Sequence, residues 1–299
     1  MAGRGLRRAA GAAAACAALG AAAADDAAHW YVQIDNDAFF NTDRWYTSGL
    51  RIARVAPRGD HDDEWGVLQE IYTPEAKFAN PIDRPPAARL LATYARHERL
   101  PGDWSTFEVD VGVTGPSALG EQAQRLAHTI VRAPHENWDL QRGDQLDGDI
   151  VYARTITLPA RPLGLGLAAH YGGLAGNQLA FAHGGLELRY GHGAALDLFS
   201  PVMRYAATPP FPRERPDGSW SVFAGASARA VLMNHLLDFQ DGSTTPPLER
   251  KDVVGRFVVG GTWYYRHASV AFAVAQETKE FVGQHHNHNF GSLTVYVPF

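Results

Sequence analysis

The stretch WYVQIDNDAFFNTDRWYTSGLRIARV, Trp30 to Val55, reads as two strands joined by a short polar loop. In the first, Trp30, Val32 and Ile34 alternate with Tyr31, Gln33, Asp35 and Asp37. In the second, Ser48, Leu50 and Ile52 alternate with Thr47, Gly49, Arg51 and Ala53. A period of two with one apolar and one polar row is the signature of a half-buried strand. The same alternation recurs to the last residue, with too little helix to cover so many apolar rows. A sheet closed on itself in lipid meets that pattern: it has no free edge, and its apolar side chains face outward while the polar ones face inward. The loop gathers Asn36, Asp37, Asn41, Thr42, Asp43, Arg44 and Thr47, and is expected to form one half of an active site.

Composition bounds the rest. The chain has 299 residues, enough for one large β domain or two smaller ones. Residues 1–24 join a basic start (Arg4, Arg7, Arg8) to a small-residue apolar run ending in Ala-Ala-Ala before Asp25-Asp26, which predicts a secretory signal peptide and a barrel domain over 25–299. The one cysteine, Cys16, lies in that leader; the residues before it are all Ala, so a lipoprotein signal is the weaker reading. The exported part then has no thiol for disulfides or metal. Of 27 Lys and Arg, three lie in the leader, leaving 24 against 32 Asp and Glu. That acidic balance argues against nucleic acid as a partner. No apolar run of 18 follows residue 24, so no membrane helix is expected, although barrel strands give a much weaker hydropathy signal.

Along the chain, turn signals separate further strands near 65–73, 87–97, 107–113, 150–158, 163–173, 179–190, 220–232, 253–266, 268–276 and 290–299. In the clearest, Phe107, Val109, Val111 and Val113 alternate with Glu108, Asp110 and Gly112. A soluble sandwich would also turn such carboxylates outward, so that strand does not decide alone. The count is twelve, an even number, which puts both ends on the periplasmic side and the longer loops outside. Loops 74–86, 114–149, 233–252 and 277–289 fit the outer set, whereas 191–218 is long where a short turn is expected. Between the fifth and sixth strands one helix is expected, to about Val131, with Glu121, Gln124 and His128 on its polar face and Leu119, Leu126 and Ile130 opposite.

By alternation Asp37 and Thr47 point into the lumen at the outer rim, and His128 lies on a helix able to fold back over it. Carboxylate, hydroxyl and imidazole together suit base-assisted or metal-assisted hydrolysis. An Asn-Asp pair with backbone carbonyls is oxygen-rich and suits Ca²⁺. Each residue also has a plain explanation: Asn36 and Asp37 cap a strand, Thr47 is a β-former, and His128 is solvated. His285, His286 and His288 resemble a metal cluster but read better as a solvated loop. Ser48 sits on the lipid-facing parity with no nucleophile elbow around it.

The elements NDAFFNTDRWYTSGLRI, IYTPE with DRP, GPSALGEQAQRLAHTIV with NWDLQ, and TKEFVGQ, in this order, resemble the outer-membrane lipid A 3′-O-deacylase family. The likeness runs through most of the chain after the leader. It implies a twelve-stranded barrel in the outer membrane, lipid A or lipopolysaccharide as substrate, and a calcium-dependent hydrolase site between the barrel wall and a loop helix. The family's Asn-Asp pair falls on Asn36-Asp37, its Tyr-Thr on Tyr46-Thr47 and its helix histidine on His128. After Asp83 the chain reads Arg84-Pro85-Pro86 where the family more often has Tyr-Ala-Gly-Trp after the proline, which leaves Arg84 as a phosphate contact. In the expected mechanism His128 activates water, Ca²⁺ on Asp37 and Asn36 stabilises the oxyanion, and Thr47 positions the site. Strict alternation turns Asn36 outward when Asp37 is inward, and a bulge at the strand end would reconcile them. A monomer is expected. The rival readings are an outer-membrane phospholipase and a passive pore or structural barrel; the helical loop 114–149 argues against a simple pore.

Overall fold

The structure, a computed structural model, describes residues 28–75, 83–100, 103–132, 137–158, 165–192, 217–239, 248–265 and 268–298. The leader 1–24, most of the connection 191–218 and Phe299 lie outside these residues. Twelve strands follow in chain order: β1 His29–Asn36, β2 Trp45–Arg58, β3 His61–Thr73, β4 Ala87–Leu100, β5 Asp103–Thr114, β6 Gln145–Leu158, β7 Gly166–Gly176, β8 Leu179–His192, β9 Trp220–Asn234, β10 Val253–Tyr265, β11 Ala268–Glu277 and β12 His288–Pro298. Each pairs antiparallel with its chain neighbours. β1 pairs with β12 from His29↔Pro298 to Asn36↔Gly291, so the sheet closes and leaves no edge. No helix among the described residues is long and apolar enough to cross a membrane, which says nothing of a β-barrel.

Side-chain rows follow the sequence alternation. On β1, Tyr31, Gln33 and Asp35 are buried inside, while Val32 and Ile34 are exposed on the wall. On β5, Glu108 and Asp110 are buried and Phe107, Val109 and Val111 face out. The lumen is filled by paired charges. Arg51 donates to Glu64 at 2.7 Å and to Glu108 at 2.9 Å. Tyr31 and His97 also meet Glu64, at 2.7 and 3.1 Å. Arg89 holds Asp147 through two hydrogen bonds of 2.8 and 3.0 Å, together with Asp149 and Glu70. Arg229 and Arg256 share Glu277. A pocket of about 40 Å³ among Arg51, Arg89, Glu108 and Arg229 has the scale of a few waters. Tyr190, Trp220, Trp263 and Tyr265 form an exposed aromatic band toward the end of the barrel that carries His29 and Pro298, as a membrane interface favours.

Several boundaries move from their expected places. β3 starts at His61 because only Gly59 and Asp60 are needed for the turn, with Gly59 at φ 77°. β6 starts at Gln145, where Asp147 and Asp149 continue the inward row. The helix, α1 (Gly120–Val131), lies where its periodicity predicts; Leu119 stands at its N-cap, so the nearby Ser117 hydroxyl is not used there. Ser117 is held by Asp144 instead, through its backbone N–H at 2.6 Å and its hydroxyl at 2.7 Å. α1 packs close on the barrel at Gly120, where a Cβ would lie 2.3 Å from the Ala88 side chain. Its polar side faces the barrel, while Leu126 and Ile130 are exposed on the far side.

Candidate active site

β1 ends at Asn36, whose side chain accepts from the Ala38 N–H at 2.7 Å and so caps a 3₁₀ turn over Asp37–Phe40. Asn41, in the left-handed region at φ 56°, closes that turn. The Asp37 carboxylate is 1% exposed and clamps the loop behind it: Oδ2 accepts from Thr42 Oγ1 at 2.9 Å and from the Arg44 N–H at 2.8 Å. This local turn brings Asn36 and Asp37 to one hollow without a bulge in β1.

The bulge sits in β2. Tyr46 pairs with Tyr72 and Ser48 with Ile71, so Thr47 is an extra residue without its own partner on β3. Tyr46 stays inside, its hydroxyl 3.2 Å from Asp35, and Ser48 lies on the outward row opposite Asn36. Thr47 therefore turns to the outward side, where its hydroxyl meets that of Thr73 at 2.5 Å. Alternation alone predicts Thr47 and Asp37 in the lumen; the inserted residue and the 3₁₀ turn reverse that for both.

From across the hollow, α1 presents Gln124 and His128, one turn apart. Asp43 joins them to the first loop: Oδ2 lies 2.9 Å from His128 Nε2 and Oδ1 accepts from Gln124 Nε2 at 3.3 Å. Gln124 in turn accepts from Trp138 Nε1 at 2.9 Å. The result is a cleft of about 840 Å³ against the outer wall, between β1–β3 and α1. Its floor is the apolar row Ile34, Leu50 and Ile71, and its rim carries Asn36, Asp37, Asp43, Thr47 and His128. Arg44 edges the cleft, paired with Glu75 and lying 4.4 Å over the Trp45 ring.

A family model described as outer membrane protein LpxR matches residues 9–299. The chain belongs to the LpxR family. LpxR from Salmonella typhimurium has the same fold, with a TM-score of 0.78 at 20% identity over 91% of this chain and 100% of that one. The toluene transporter TodX of P. putida aligns over 91% of this chain and 90% of its own at 11% identity, with a TM-score of 0.35. No curated protein sequence matches the chain. LpxR membership gives the coarse function: an outer-membrane lipid A deacylase, acting where lipopolysaccharide is the surrounding lipid.

Within this barrel the expected site residues divide. Asn36, Asp37, Thr47 and His128 all line one cleft. Arg84 does not: it is fully buried over the Tyr72 ring, donating to the Leu236 carbonyl at 3.2 Å and lying 3.7 Å from Glu280. Its charge is engaged under the outer loops, and the guanidinium that edges the cleft is Arg44. The three late histidines diverge. His285 and His286 are exposed, whereas His288 is buried, stacked on Phe290, with Nε2 2.9 Å from the Tyr46 carbonyl. Among the described residues no group of three His, Cys, Asp or Glu is placed to hold a metal ion. Asp43 and Gln124, placed by the sequence in the polar loop and on the polar face of the helix without a role, are brought together with His128 here. The parity argument against Ser48 also fails, because the cleft lies on the lipid-facing side and Ser48 lines it.

Proposed function

We propose that this protein hydrolyses the 3′-linked acyloxyacyl ester of lipid A with water activated at His128. The observation that carries the reading is the Asp43–His128 pair closing over an oxygen-rich loop on the outer wall. A lipid lying in the outer leaflet reaches that cleft along its apolar floor, without entering the barrel. A neutral His128 that donates its Nε2 proton to Asp43 carries its lone pair on Nδ1, and takes the proton from water there. The hydroxide adds to the ester carbonyl, the acyl C–O bond breaks, and His128 returns the proton to the departing sugar oxygen. The products are the free acyloxyacyl acid and a 3′-hydroxyl, and Asp43 stabilises the imidazolium formed between the two steps.

The donors around Asp37 suit a hard cation. Asn36, Asp37, Asn41, Thr42 and Thr47 offer only oxygen to the cleft apart from the side-chain amide nitrogens of Asn36 and Asn41, with one carboxylate among them. Asp37 and Asn36 would hold Ca²⁺, with Thr47 positioning the site. When bound, the ion supplies positive charge to the developing oxyanion, a contribution commonly of about 3 kcal/mol or more. One carboxylate makes a weak site, so the activity should follow free calcium.

Mass spectrometry of hexa-acylated lipid A incubated with the purified barrel tests the reading. Loss of the 3′ acyloxyacyl group with both phosphates retained is expected, stopped by EGTA and restored by Ca²⁺. Loss of an acyl chain from glycerophospholipid instead would support the phospholipase reading and sink this one.

A further inference from the structure

The 3₁₀ turn Asp37–Phe40 has a second side. Asp37 faces the catalytic cleft, whereas Phe39 and Phe40 reach the other way over β11 and β12. Phe39 lies edge-on to Phe272 at 5.6 Å and fits over Gly291, where a Cβ would come within 2.5 Å of its ring. Phe40, half exposed, forms one wall of a separate groove of about 320 Å³ on the barrel exterior. The other walls are Phe257 and Val259 of β10 and Val274 of β11, all on the lipid-facing row. At its outer end stand Gln276 and Asn289, hydrogen-bonded amide to amide at 3.0 Å.

We infer that this groove is an acyl-chain subsite, which takes a chain of the lipid A molecule other than the one being cut. The inference rests on the proposed function above, since it assumes the bond in the catalytic cleft belongs to lipid A. Three observations select the occupant. The groove opens on the membrane-facing wall, so whatever fills it is a lipid tail. Its order of chemistry, amides at the outer rim and aliphatic side chains below, is that of an ester or hydroxyacyl group followed by hydrocarbon. Finally, the 3₁₀ turn is the shared wall of groove and cleft, so one head group above the turn sends chains down both sides. Asn289 and Gln276 bring amide donors to the linkage of that second chain. A smooth stretch of barrel wall gives a tail no such shape; Phe40, reaching over from the turn, creates it.

Filling the groove tests this. Val259→Trp and Val274→Trp keep the outer wall apolar while occupying the hollow, and Leu186→Trp places the same bulk on the lipid face of β8 as a control. Binding and hydrolysis are measured in mixed micelles with two lipids: hexa-acylated lipid A, and an analogue lacking the chains of the sugar that is not cut. The wild type and Leu186→Trp should bind the complete lipid more tightly. In the groove variants that preference should vanish, with kcat on the analogue unchanged. The preference should be about tenfold or less, because micelle tails offer an equally apolar alternative. Retention of the full preference in both groove variants overturns the subsite, as does an equal weakening toward both lipids. If the wild type binds lipid A but releases no 3′ chain, the proposed reaction fails while the binding comparison still decides the groove.

Discussion

The two faces of β2 carry opposite kinds of polar chemistry within a few residues. On the inner face Arg51 is held between Glu64 and Glu108, with Tyr31 and His97 completing the contacts of Glu64. On the outer face Thr47 and Ser48 open on a cleft shared with Asp37, Asp43 and His128. The inner groups are opposite charges in a closed space, arranged to neutralise one another, which is how buried ions are tolerated. The outer groups are acids, amides, hydroxyls and an imidazole beside an apolar floor, arranged around room for another molecule. A polar side chain inside a filled barrel is therefore weak evidence of function, and one outside it, at lipid depth, is strong evidence.

The sharpest way to break this contrast is to remove the proposed base. His128→Ala should lower the hydrolysis rate by about 10²–10⁴-fold at any calcium concentration, as expected for loss of a general base. The barrel should still show heat-modifiable gel mobility, since α1 lies outside the wall. Full activity in that variant would leave α1 as a cover only, and the site would have to be rebuilt around another base. Asp37→Asn should reduce activity less once calcium is raised. The amide keeps an oxygen for the ion but loses the charge, so the calcium concentration giving half-maximal rate should rise. A rate that stays low at saturating calcium would instead assign Asp37 to shaping the loop through Thr42 and Arg44.

How far the sequence carries this picture depends on which contacts are local. The alternation in β1, in β2 from Ser48 onward and in β5, and the period of α1, are properties of single segments, and each is met in the structure, as is the even strand count that they add up to. The side of the wall on which the cleft lies is not such a property. It follows from Thr47 being the unmatched residue in the β2–β3 pairing, and nothing in Tyr46-Thr47-Ser48 marks it. Arg84 presents the same difficulty. Read in its loop it is a free cation, but its place is fixed by Leu236 and Glu280, far along the chain. Asp43 is one of several polar residues in its loop until α1 folds back onto it.

Asp43 gives a prediction of intermediate size. Asp43→Asn keeps the shape but removes the charge that favours an imidazolium and fixes the His128 tautomer. A loss of about 10–100-fold in kcat is expected, typical for the partner that orients a functional histidine, with little change in KM. The split between kcat and KM distinguishes this from a structural effect: a charge that acts through His128 lowers kcat and leaves KM in place. A raised KM with kcat little changed would mean that Asp43 only anchors the helix.

The smallest effect on catalysis should come from a heavily bonded residue of the lumen. Arg51→Met leaves Glu64 and Glu108 in the lumen without their shared guanidinium, and breaking a buried pair from one side typically costs about 3–5 kcal/mol. Arg51 lies four residues from Thr47 along β2 and faces the other way, so activity per folded barrel should stay within about twofold, the scale of a change that leaves transition-state contacts intact. The loss should appear as a lower temperature for the shift to unfolded gel mobility, read as a rate at fixed temperature because such unfolding is often irreversible. Replacing Glu64 and Glu108 by Gln in the same variant should recover much of the loss, since what destabilises the single variant is unbalanced charge rather than lost volume. If Arg51→Met instead abolished hydrolysis in barrels that remain folded, the lumen network would be coupled through the wall to the cleft, and the separation between the two faces of β2 would not hold.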